Sequence, residues 1–135
     1  MQHKEASVRP DAVVKFDVSA ELWLAKNIEE VHKTDPEGNE IIVWAFDEAF
    51  CHTQEPGELA RDHFDTFWDF AESGGGDSIL TYLRDRRKDE CFTVCDRPLW
   101  LETLTEEHLN ELKAWRLEWL NVTSTLEIPV KPEWI

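Results

Sequence analysis

The sequence predicts an α+β fold: a small N-terminal antiparallel β-hairpin or sheet, about three helices, and an extended C-terminal tail. Three observations carry this. Two β-rich runs flank a strong turn at Asp35-Pro36-Glu37-Gly38-Asn39. After Pro56 the apolar residues change to helical spacing. Near the end, Pro129 and Pro132 hold the backbone extended.

The elements follow in order. Residues 1–10 are polar, end in Pro10 and read as a flexible arm. Val13 to Val18 reads as a short strand. Trp23–Lys33 then pairs with Glu40–Asp47 as a hairpin, because Pro fixes φ in the turn and Gly or Asn accepts positive φ. From Pro56 to Glu72, Leu59, Ala60, Phe64, Phe67, Trp68 and Ala71 fall on one side of a helix. Glu58, Asp62, Asp65, Asp69 and Glu72 form an acidic stripe on the other. Gly74-Gly75-Gly76 stops this helix. Asp77 or Ser78 caps the next, Ile79 to Arg87. Cys91 to Cys95 reads as a short strand.

Thr105 caps the last helix, with Glu106 and Glu107 at the positive end of its dipole. Leu109, Leu112, Trp115, Trp119 and Val122 line one face. The tail runs over residues 124–135. With no internal repeat and no long linker, residues 1–135 read as a single domain.

Composition narrows the function. The formal net charge is −15, with 29 acidic and 14 basic residues. Such a surface repels phosphate backbones and anionic membranes, so neither direct nucleic-acid nor membrane binding is expected. Basic proteins are attracted. Nothing resembles a signal peptide or a membrane span, and three cysteines suit a reducing cytoplasm. Asn121-Val122-Thr123 matches a glycosylation acceptor only by chance in that setting.

The chemical motifs are weak. Cys91 and Cys95 form one thiol pair, short of the two matched pairs of a structural zinc site. Cys51 with His63 or His108 lacks a thiolate-stabilising environment. Gly74 to Ser78 lacks the Gly-Lys-Ser/Thr ending of a phosphate loop. The expectation is no catalytic residue, no metal and no cofactor. The acidic stripe is a solvated helix face or, alternatively, a mimic of a phosphate strand.

Two stretches carry a resemblance. One comprises Leu112-Lys113-Ala114-Trp115-Arg116, Leu120-Asn121-Val122-Thr123, Ile128-Pro129 and Pro132-Glu133-Trp134. It is similar to the C-terminal end of tailed-bacteriophage tail accessory and tail-fibre assembly proteins, although Ile135 stands where those have Pro. The other comprises Asn27 to Val31, Asp35 to Asn39 and Val43 to Glu48, and it resembles a hairpin of small phage tail proteins.

The resemblance implies a non-enzymatic phage or prophage assembly protein. It would act in the cytoplasm of the bacterial host or within the virion, on a tail or fibre component. Trp115, Arg116, Trp119, Trp134 and Ile135 would then be its partner-binding residues, since aromatic anchors dominate interfaces. The alternative is an acidic phage-encoded inhibitor of a basic host protein, an anti-restriction or anti-CRISPR factor acting through the acidic stripe.

Overall fold

A computed structural model describes all 135 residues. The chain forms two compact units, Met1–Gly76 and Asp77–Ile135. The first holds a four-stranded antiparallel sheet with two helices, and the second has helices and no strand, so the α+β class stands.

In the first unit the strands are β1 (Gln2–Ala6), β2 (Val13–Phe16), β3 (Glu21–Thr34) and β4 (Glu40–His52), in the order β1-β4-β3-β2. The flexible arm is corrected: its first half is edge strand β1, paired from Gln2↔Glu48 to Ala6↔Trp44. The β3–β4 hairpin lies where the sequence places it. Asp35 makes the turn: its carboxylate accepts from the Glu37 and Asn39 amides at 3.0 and 2.8 Å. Gly38 takes the positive φ of 84°.

The ladder is interrupted once. Lys26↔Asp47 is followed by Glu29↔Ala45, so β3 spends one more residue than β4. Asn27 adopts φ 53° there, and its amide donates to the Asp47 carboxylate at 2.7 Å. Asn tolerates this conformation because its short side chain bonds locally.

Helices α1 (Gly57–Asp62) and α2 (Phe64–Glu72) cover one face of the sheet. The single helix expected over 56–72 is broken at His63, whose φ and ψ of −128° and 48° are not helical. Leu22, Leu24, Phe67 and Phe70 are fully buried and form the core. The helix α2 stops as the three glycines predict. Gly75 and Gly74 donate to the Phe70 and Ala71 carbonyls at 3.0 and 3.1 Å, and both have positive φ.

The second unit begins with α3 (Ile79–Arg87), capped by Ser78, whose hydroxyl accepts from the Thr81 amide at 3.1 Å. A π-helical turn (Lys88–Phe92) and α4 (Thr93–Cys95) replace the strand expected at Cys91 to Cys95. Then come α5 (Pro98–Leu101), α6 (Glu106–Leu120) and α7 (Val122–Thr125). The chain thus has more helices than the three expected, because the extra ones are short and lack a legible period. No helix or strand follows Thr125, and Leu126 closes α7 in the left-handed conformation at φ 56°. No helix is long and apolar enough to cross a membrane.

Candidate interaction surfaces

Helix α6 is positioned by Thr105, whose hydroxyl accepts from the His108 amide at 3.1 Å. Its apolar stripe turns inward. Leu112, Trp115, Trp119 and Val122 are all buried in their own chain. Trp115 and Trp119 are therefore corrected from partner grips to core residues. The physical reason is their spacing: Leu112, Trp115 and Trp119 follow one another at steps of three and four along the helix, so these side chains share the face that packs on the π turn. Their ring N–H groups have no hydrogen-bond partner, a cost accepted for the large apolar area buried.

Arg116 is half-buried and lies 5.1 Å over the Phe92 ring, with the Arg87 guanidinium 5.5 Å from the same ring. It too is occupied within the chain. Trp134 is half-buried. Its ring stacks on His108 with centroids 4.1 Å apart and planes at 8°, and its N–H donates to Glu111. Ile135 is half-buried and closes a turn through its amide to the Pro132 carbonyl at 3.2 Å. Ahead of these fixed points Val130 stands 88% exposed. Ile128 to Val130 line a cleft of about 390 Å³ together with Glu118, Asn121, Thr125 and Glu127. The cleft mixes two carboxylates, Glu118 and Glu127, with the apolar Ile128, Pro129 and Val130.

In the first unit Glu58, Asp62, Asp65, Asp69 and Glu72 are all exposed. The break at His63 divides them, two on α1 and three on α2, so they do not form one straight row. Glu72 accepts the indole N–H of Trp68, and the Lys26 ammonium sits 4.2 Å above that ring. Met1–Gly76 holds 17 acidic and 6 basic residues, a net −11, and Asp77–Ile135 the remaining −4.

The sequence reading missed a third surface. On the sheet face opposite α1 and α2, Trp23 and Phe50 are cross-strand partners with ring centroids 4.4 Å apart, and His52 meets Phe50 edge-on at 4.9 Å. Phe16 beside them is 50% exposed. The alternation of Val13 inward and Phe16 outward is the signal that could have found it.

The thiols carry no visible chemistry. Cys91 and Cys95 are buried with sulfurs 3.8 Å apart, one helical turn from each other. Burial pushes Cys91 up to about 12 and Cys51 up to about 11, so both stay protonated at neutral pH and are poor nucleophiles. No three His, Cys, Asp or Glu side chains converge in an arrangement able to hold a metal ion. The chain matches no protein-family model, no curated protein and no solved structure.

Proposed function

We propose that this chain is a non-enzymatic structural or assembly protein of a tailed phage or prophage, and that it binds a tail or tail-fibre protein through its C-terminal segment. One observation carries the reading. The clasp of Trp134 on His108 and Glu111 orders the last residues without hiding them, leaving Val130 and the neighbouring cleft in solvent. An ordered apolar projection binds at less entropic cost than a free tail. The grip is thus Ile128 to Val130 with Trp134 and Ile135, while Trp115, Trp119 and Arg116 hold the scaffold beneath. The protein would meet its partner in the host cytoplasm and either leave or remain in the particle.

The test is capture of the tail and fibre proteins encoded beside it. Val130→Asp should abolish capture while the fold persists. Wild-type protein that captures none of them would remove this reading.

A second reading is an acidic inhibitor of a basic host protein, supported by the concentration of −11 in Met1–Gly76. It requires salt-sensitive binding that is lost when Asp62, Asp65 and Asp69 are changed together to Lys. The break at His63 weighs against it, because a phosphate strand has even spacing.

A further inference from the structure

We propose that the outer edge of β3, from Glu29 to Lys33, pairs antiparallel with the same edge of a second copy of this chain, about a two-fold axis through Val31. This goes beyond the C-terminal binding role above and uses a different part of the molecule.

The edge is open. Strand β2 covers β3 only from Glu21 to Leu24, and the last bond on that side runs from the Ala25 amide to the Ala12 carbonyl at 2.9 Å. From there to Thr34, β3 has no neighbour on its outer side. The direction of its main chain follows from the ladder. Ala25 points away from β4, so Leu24 and Lys26 point toward it, opposite Ala49 and Asp47. Strand β4 continues without irregularity, so Ala45, Val43 and Ile41 also face β3. Their partners Glu29, Val31 and Lys33 therefore bond inward. Glu30, His32 and Thr34 are left with N–H and C=O groups pointing outward, and all three residues are exposed.

An open edge is normally protected by like charge or by a bulge. Here the bulge at Asn27 lies at one end of the open stretch and leaves Glu29 to Thr34 regular. The charges do not repel a copy. The order Glu29-Glu30-Val31-His32-Lys33 is acidic, acidic, neutral, basic, basic. Turned about Val31, Glu29 faces Lys33 of the second copy and Glu30 faces its His32, and each contact occurs twice. Such self-complementarity is what a two-fold interface requires.

The hydrogen-bond geometry agrees. Glu30 and His32 become mutually bonded pairs through their outward main-chain groups. Val31 pairs with Val31 at a non-bonded position, where opposing side chains approach most closely. Val31 and its β4 partner Val43, both half-exposed, then lie in one row across the joined sheets with the same pair of the second copy, the two Val31 side chains meeting at its centre. The hydrogen bond to Glu40, with Glu30 adding to it, raises the pKa of His32 above its ordinary value and favours the cation this pairing uses. Pairing through one short edge buries little area, so the dimer is weak and concentration-dependent. The net charge of −15 opposes it at low salt.

Sedimentation equilibrium of the full chain at about 0.15 M salt tests this, because distant charges are screened there. Wild type should pass from monomer to dimer at concentrations up to about 1 mM. Glu29→Lys and Lys33→Glu should each weaken association by about tenfold or more, since each places like charges opposite one another twice. Mixed together, these two variants should form a heterodimer, and the double exchange should restore the homodimer. Lys33 also pairs with its own Glu5 at 2.6 Å, so circular dichroism must show that Lys33→Glu is folded. The Glu29→Lys variant leaves that pair intact and reads the interface alone. A monomeric wild type at about 1 mM, single variants that dimerise as wild type does, or a mixture that fails to associate would each overturn the proposal.

Discussion

The Trp134 indole lies parallel to the His108 imidazole at 4.1 Å, twenty-six residues apart in sequence, and closes the chain end onto α6. The contact assigns different jobs to residues that look alike on paper. Trp134 is a clasp near the surface, whereas Trp119, on the same helix as His108, is a core side chain only 1% exposed.

Substitution should separate those jobs. Trp119→Ala should cost about 3–5 kcal/mol, by loss of buried area and the cavity left behind. Trp134→Ala should cost only about 1 kcal/mol, near the value of one aromatic pair. Urea unfolding followed by circular dichroism measures both. Hydrogen exchange should show that Trp134→Ala loosens residues 128–135 while α6 stays protected. Equal losses of stability in the two variants would contradict this division.

The bulge gives a second outcome. Asn27→Val removes the bond to Asp47 and forces a β-branched residue to φ 53°, at a cost of about 1–3 kcal/mol. Asn27→Gly keeps the backbone and should cost less. The Asn27 amide, followed by His3, also holds the Asp47 carboxyl below its usual range. Both variants should therefore return Asp47 toward an ordinary carboxylate in a carbon-detected NMR titration.

Alkaline pH gives a third. Burial raises Cys91 from 9.0 to about 12 and Cys51 from 9.0 to about 11, so the folded state holds these protons more tightly than the unfolded chain. Their contribution to stability is complete below pH 9 and is lost as the pH rises through the folded values. The limiting slope is roughly 1.4 kcal/mol per pH unit for each thiol. Cys91→Ala should flatten the fall in stability between about pH 9 and pH 11, measured by urea unfolding against wild type. An unchanged slope would mean that Cys91 ionises in the folded protein as easily as in the unfolded chain.

Local chemistry was the legible part. Asp35 to Asn39, Ser78, Thr105 and the three glycines act where the sequence puts them, because a turn or a cap is decided by side chains within a few residues. Gln2 to Ala6 was not legible as a strand. Its polar side chains show no buried face, and its partner Trp44–Glu48 lies some forty residues away. The break at His63 was hidden because the apolar and acidic periods run through it unchanged. Cys91 to Cys95 looks like a strand because Phe-Thr-Val favours one, yet packing wound it into helix and π turn. On the candidate surface, five carboxylates and the C-terminal aromatics were named from sequence, but which of them meet solvent was not.

From its residues alone, this chain determines its class, its hairpin turn, the helix caps at Ser78 and Thr105 and its acidity, since each is set by neighbours in sequence or by simple count. Only the tertiary structure decides that Trp115 and Trp119 are core, that Trp134 is clasped, and that β3 keeps an open, self-complementary edge. Burial and strand pairing depend on residues far apart in the chain, and no local pattern carries that information.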